Sequence, residues 1–259
     1  MRAIWSGAIN FGLVNIPVKL YSGTISNAID FDMLDKHDNA PIRYARISTT
    51  SGKEIPYENI VKGYKYNGED YIVITKEDFE KVNVEKTKTI DIVDFVKEVE
   101  IDSVYYEKPY FLEPDKSAAK SYALLREALL KSKKVGIALF VLRNKEHLGI
   151  IKPYGELIVL NQIRFEQELR KPDELNLPKL KEIKGKELEM ALALIDQLTS
   201  KFKPENYKDI YTDELMKMIE KKAKGEIVKP QGKKRKAGEV KDLMTLLKAS
   251  LKNTRKKAA

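Results

Sequence analysis

The chain has 259 residues, 42% of them apolar, a net charge of +9 and no cysteine. That is enough apolar content to fill a globular core, while the missing cysteine excludes disulfides and every thiolate metal site. Only His37 and His147 could add imidazole ligands, they lie far apart in the sequence, and no cofactor or metal is expected. The first seventeen residues are broken by Asn10, Gly12, Asn15 and Pro17. They read as neither a signal peptide nor a membrane span, so a soluble cytoplasmic protein is expected.

From residue 3 to about 22 the pattern is strand-like. Ile9, Phe11 and Leu13 alternate, then Val14, Ile16, Val18 and Leu20 alternate on the other parity. The phase change at Leu13-Val14 predicts a bulge or bend, and Pro17 predicts an edge or corner. Next comes "PIRYARISTTSGKEIP" at 41 to 56, which reads as two short basic strands around a Thr-Thr-Ser-Gly turn. Further strands are predicted at Tyr71-Thr75, Lys88-Phe95, Val104-Leu112, Val135-Leu142, Leu148-Pro153 and Leu157-Phe165. Short strands at this spacing argue for a closed or nearly closed antiparallel sheet.

One helix interrupts the strands, from about Lys116 to Lys134, with Ala118, Tyr122, Leu125 and Leu129 on one face. After residue 185 the period is helical. Leu188, Ala191, Leu192, Ile195 and Leu198 form one stripe, and a second helix is predicted from about Thr212 to Lys222. Residues 223 to 238 are rich in lysine and interrupted by Gly225, Pro230, Gly232 and Gly238, a flexible basic linker. Beyond it Val240, Leu243, Met244, Leu247 and Leu251 recover a helical stripe. One short helix cannot bury its own apolar face, so the stripe reads either as a surface for a partner's groove or as one that docks back on its own core.

Charge is segregated along the chain. Residues 220 to 259 hold 14 Lys/Arg against 4 Asp/Glu, whereas 36 to 66 hold 6 against 3 and 67 to 115 hold 6 against 14. Two cationic places separated by an acidic block suggest a polyanion met on chosen surfaces. No phosphate-binding glycine loop, His-Glu-x-x-His, calcium loop or nucleophile elbow is present. The acidic set Asp91, Asp94, Glu98, Glu100 and Asp102 reads first as a solvated face. The alternative is the metal site of a nuclease.

The basic hairpin carries no base-reading pairs, so any DNA contact there is to phosphates. Arg43 and Arg46 have opposite parity and would face opposite sides of a flat strand. The tail run Lys233, Lys234, Arg235 and Lys236 reads either as a solubilising segment or as a phosphate-binding arm. A basic-tailed protein that coats DNA without needing ends is the other alternative.

Six stretches carry a family resemblance: "MRAIWSGAINFGLVNIPVKLYS" at 1 to 22, "HDNAPIRYARIS" at 37 to 48, "IVKGYKY" at 60 to 66, "YFLEPD" at 110 to 115, "SYALLREAL" at 121 to 129 and "DLMTLLKAS" at 242 to 250. In this order they resemble bacterial Ku over essentially the whole chain. The resemblance implies a non-enzymatic protein of mixed, β-rich α+β class that binds double-stranded DNA ends in non-homologous end joining. Its fold would be a Ku-core antiparallel β-barrel with a two-stranded bridging arm, followed by a helical C-terminal extension.

By the same resemblance, residues 1–185 form the core, with the DNA-encircling arm at about 26–66. Residues 186–222 embrace the partner subunit of a homodimer, 223–238 are the linker, and 239–259 recruit the multifunctional end-joining DNA ligase. An arm of roughly 15 residues a side reaches on the order of 50 Å, enough to arch over a duplex. The DNA-contacting cations would be Lys36, Arg43, Arg46, Lys53, Lys62 and Lys65, with Lys19 at the root of the arm and Lys233, Lys234, Arg235 and Lys236 in the tail. The ligase would meet Val240, Leu243, Met244, Leu247 and Leu251. Many relatives have Cys-x-x-Cys-Gly in the hairpin turn, where this chain has Ser48 and Ser51 before Gly52, so no metal role carries over.

Overall fold

The computed structural model describes residues 1–68, 70–82, 88–143, 145–177 and 185–226. Nine strands are present among them: β1 (Trp5–Phe11), β2 (Val14–Ser22), β3 (Lys62–Tyr66), β4 (Asp70–Ile74), β5 (Thr89–Lys97), β6 (Tyr106–Pro114), β7 (Lys134–Leu142), β8 (Lys145–Tyr154) and β9 (Leu157–Ile163). Four helices accompany them, α1 (Lys76–Val82), α2 (Ala119–Ser132), α3 (Gly185–Leu198) and α4 (Ile210–Ala223). The chain divides into two compact units, the first ending at Glu174 and the second starting at Leu175.

Seven strands close a barrel in the order β1-β2-β6-β9-β8-β7-β5, while β3 and β4 form a separate two-stranded sheet. The barrel answers the sequence alternation directly: Ile9, Ile16, Val18, Leu20, Ile90, Leu112, Ile151, Ile158 and Leu160 point inward into one core. The expected bend at Leu13-Val14 is a tight hairpin, with Gly12 at φ +56° and Phe11 directly opposite Val14. Pro17 lies within β2 at a point where no backbone donor is required. Ala8, its partner in β1, sends its N–H to Lys88 instead, and pairing of β2 with β6 starts only at Val18, so the donor that proline lacks is not needed there.

Two strand predictions need correcting. The segment Tyr71-Thr75 forms a strand, but it belongs to the separate hairpin and not to the barrel, paired with a strand at Lys62–Tyr66 that the alternation did not reveal. The stretch 41 to 56 is not a pair of regular strands. It holds together through the isolated bridge Ile47–Glu54 and a few cross-chain bonds, because its exposed sides have nothing to pack on.

All neighbouring barrel strands run antiparallel except one pair. β1 and β5 meet in parallel over only three residue pairs, Ala8–Thr89, Ile9–Ile90 and Asn10–Asp91. Side chains reinforce this short seam. Asn10 Nδ2 donates to Asp91 Oδ1 at 3.0 Å, Thr89 Oγ1 donates to Asp91 Oδ2 at 2.8 Å, and Asn15 Nδ2 donates to Asn10 Oδ1 at 2.6 Å. A Cβ on Gly7 would stand 2.0 Å from the Lys88 carbonyl oxygen and 2.2 Å from the Trp5 ring. Only glycine lets β5 enter beside β1 here.

Helix α2 packs its predicted face onto the barrel core, with Tyr122, Leu125 and Leu129 buried. It ends at Lys133, which takes the left-handed φ of +53° and feeds β7. Tyr122 is the polar rivet of this contact. Its hydroxyl donates to the Leu112 carbonyl at 2.6 Å and accepts from Ile158 N–H at 2.6 Å, joining the helix to β6 and β9. Burial pushes its phenol above the ordinary value.

The second unit contains α3 and α4, neither with a buried residue. Leu188, Leu192, Ile195 and Leu198 are all at least half exposed along α3. Asp209 caps α4 by accepting from Thr212 N–H at 3.1 Å.

Tyr122→Phe should destabilise the first unit by about 1–3 kcal/mol, because two buried backbone groups lose their partner. Chemical denaturation at neutral pH measures this. The neutral phenol stabilises fully below its unfolded-state pKa of about 10 and loses that contribution as pH rises through the higher folded value. The gap to Phe, which does not titrate, should therefore narrow above pH 10.

Candidate nucleic-acid interface

The barrel has no free edge, and most of the candidate phosphate-contacting cations lie on the segment inserted between β2 and β5, at residues 36 to 65. Both roots of that insertion are tied to the barrel by backbone hydrogen bonds. At the outgoing root Gly23 N–H donates to the Pro109 carbonyl at 3.0 Å, and at the returning root Ala8 N–H donates to the Lys88 carbonyl at 2.9 Å. A Cβ at Gly23 would meet the Pro109 oxygen at 2.9 Å, so each root has a glycine at its tight point. Between Thr24 and Val73, among the described residues, only Ile29, Ser48 and Ile55 are even half-buried.

The outgoing limb makes two small turns. In the first, Leu34 bridges Pro41, Asp35 N–H donates to the Ala40 carbonyl at 2.9 Å and Asn39 N–H to the Asp35 carbonyl at 2.8 Å. Lys36 sits exposed on this turn. In the second, Ser48 N–H donates to the Lys53 carbonyl and Gly52 N–H to the Ser48 carbonyl, both at 2.9 Å. The Ser48 hydroxyl accepts from Ser51 N–H at 3.3 Å, and Gly52 adopts φ +66°. The two serines thus serve the turn through hydroxyl and backbone hydrogen bonds.

Arg43 and Arg46 lie between these turns on a stretch that is not a regular strand, so the strict alternation of a flat strand does not govern which way they face. Arg46 is held. Its carbonyl accepts from Ile55 N–H at 2.7 Å, and its guanidinium carbon lies 5.0 Å from the Tyr57 ring centroid. Lys53 is exposed beside Gly52.

The β3–β4 hairpin follows, turned by Asn67 and Gly68 at φ +46° and +101°. Residues directly opposite share a face, which puts Lys62, Tyr64, Tyr66, Ile72 and Ile74 on one side and Lys65, Tyr71 and Val73 on the other. Lys62 and Lys65 therefore cannot serve one flat surface. Lys62 Nζ stands 4.9 Å from the Phe79 ring centroid of α1. That helix is fixed by Thr75 and Asp78, whose N–H groups each donate to the other's side chain, and these bonds hold the Asp78 carboxyl below its usual range.

Lys19 lies on β2 with its side chain 3.9 Å from Asp115, next to Tyr21, whose hydroxyl donates to Glu113 at 2.5 Å. Its charge is matched by acidic neighbours. The tail cations Lys233, Lys234, Arg235 and Lys236, and the stripe Val240, Leu243, Met244, Leu247 and Leu251, lie outside the described residues.

A closed barrel with a long exposed insertion, rooted at two glycines, has counterparts among known proteins. The family described as Ku70/Ku80 beta-barrel domain matches residues 10–190. The chain belongs to the Ku family. A protein of Opitutus terrae named "Non-homologous end joining protein Ku" is 44% identical over 98% of this chain and 92% of its own length. Proteins of the same name are 41% identical in Coxiella burnetii, over 98% of this chain and 96% of theirs, and 39% identical in Bacillus subtilis, over 99% and 83%.

The Ku match spans the barrel from the end of β1 onward and the whole insertion, and the acidic set can be read against it. Asp91 braces the barrel seam. Glu98 pairs with Lys152, Glu100 accepts from Lys97 N–H at 3.1 Å, and Asp102 accepts from Val104 N–H at 3.0 Å. Among the described residues no three His, Asp or Glu side chains gather at metal-binding distance. This arrangement lends the nuclease reading no support. Among the described helices, none is long and apolar enough to cross a membrane.

Sequence reasoning passed over Tyr57 and Phe79, the aromatic partners of Arg46 and Lys62. The only available signal was the alternation of tyrosines with cations from Tyr44 to Tyr71.

Proposed function

We propose that this chain is a homodimeric, non-enzymatic clamp that binds double-stranded DNA ends without reading sequence and takes part in non-homologous end joining. One observation carries the reading: a Ku barrel anchors both roots of an insertion that buries almost nothing within its own chain. A two-stranded hairpin with every residue exposed except Ile74 is marginal by itself, so it needs a ligand or a second subunit. Two such arms would close a ring. A ring is entered from an end, so preference for broken DNA comes from topology, and cations on the inner surface supply affinity through counterion release.

The homodimer reading is supported by α3, whose apolar stripe is not buried within its own unit's described residues. Phosphate contacts are assigned to Lys36, Arg43, Arg46, Lys53 and one of Lys62 and Lys65, which β3 sets on opposite faces, with Arg43 and Arg46 the strongest pair because their segment is not a regular strand. Lys19 contributes least, since Asp115 already balances it. The basic tail adds further phosphate contacts, and the stripe from Val240 to Leu251 recruits and stimulates the end-joining ligase through an apolar groove. The whole would act in the cytoplasm, at the nucleoid.

Linear duplex should bind well above closed-circular DNA of the same sequence, measured by electrophoretic mobility shift; equal affinity would contradict the clamp. Replacing Arg43 and Arg46 together by Glu should weaken end binding and flatten the dependence of log affinity on log salt by roughly 0.9 for each phosphate that is no longer neutralised. Removing residues 239–259 should leave most end binding in place and abolish stimulation of the ligase in a nick- or end-sealing assay.

A further inference from the structure

The clamp reading gives Arg46 a role and leaves Tyr57 without one. Tyr57 is 76% exposed although the Arg46 guanidinium covers it at 5.0 Å. A ring occupied on one side and still so exposed has its other face open to solvent. Its position is fixed from both directions. Pro56 starts a 3-10 turn at Tyr57–Asn59, in which Asn59 N–H donates to the Pro56 carbonyl at 3.0 Å and Ile60 N–H to the Tyr57 carbonyl at 3.1 Å. The bond from Ile55 N–H to the Arg46 carbonyl, at 2.7 Å, locks the two limbs in register.

We propose that Tyr57, backed by Arg46, is a stacking platform for an unpaired base of a DNA overhang. An open aromatic face beside a cation is the combination that single-stranded nucleic acid requires. The base stacks on the ring, whatever its identity, and the cation meets the adjoining phosphate. The charge of the surroundings fits this occupant, with six basic groups against three acidic between residues 36 and 66. Pre-organisation lowers the cost of ordering the side chain when the base arrives. A paired base inside a duplex offers no free face, and the terminal pair of a blunt end offers only one, so the platform favours the unpaired bases of an overhang. The proposal rests on the end-binding reading and adds to it a way to distinguish one kind of end from another.

The test uses the full chain and a duplex closed by a hairpin at one end, with the other end either blunt or carrying a short 3′ oligo(dT) overhang. Fluorescence anisotropy should show the overhang bound about five- to 150-fold more tightly, the range for one base–aromatic stack. Tyr57→Leu should remove most of that difference while costing the blunt duplex far less. Tyr57→Trp should keep it, with new emission that the overhang quenches and the blunt end does not. Equal wild-type affinity for the two ends, or a preference that survives in Tyr57→Leu, would overturn the platform while leaving the clamp standing. A Tyr57→Leu chain with altered oligomeric mass would also overturn it, by assigning the ring to contact with a second copy. Loss of any preference for linear over circular DNA would remove the end-binding reading itself.

Discussion

The three-residue parallel contact between β1 and β5 carries the architecture. Without it the seven strands would form an open sheet, and β5 would have no fixed place to begin. The seam is short, so it depends on what surrounds it: Gly7 lets the Lys88 backbone approach, and the Asn15–Asn10–Asp91–Thr89 chain of hydrogen bonds ties three strands together. Buried Ile9 and Ile90 stand side by side in the ladder at the same point. Because Lys88 is also the returning root of the long insertion, barrel closure and the anchoring of the arm are the same event.

This coupling explains how an insertion with so little core of its own can hold a defined position. Its stability is borrowed from its roots, from small turns closed by local hydrogen bonds, and from cation–aromatic contacts along its length. Each is modest, and none supplies the apolar burial that makes a sheet independent. In the proposed ring the missing burial comes from a second subunit, and DNA meets the cations placed between residues 36 and 65. A surface left unsatisfied within one chain is what such an assembly requires.

Much of the barrel was legible in the sequence because one buried face imposes strict alternation, as along Ile16, Val18 and Leu20, and because the face of α2 repeats with helical spacing. What alternation cannot reveal is which sheet a strand joins. Residues 71 to 75 look like a barrel strand, yet pair only with β3. The site was less legible still. Parity arguments for Arg43 and Arg46 assumed a regular strand, which the stretch does not form, and the Arg46–Tyr57 stack joins residues across a turn with no periodic signature. For Lys62 and Lys65 parity was the right guide, and it sets them on opposite faces.

The central claim is topological: the arm surrounds DNA. It is tested most directly by loading the protein onto linear duplex with one biotinylated end, then blocking the open end with a second bulky cap and raising the salt. Phosphate contacts weaken steeply under these conditions, but a closed ring cannot leave a capped molecule. The account predicts that complexes persist on doubly capped DNA at salt concentrations that strip them from DNA with one free end. Equal dissociation from both would contradict it.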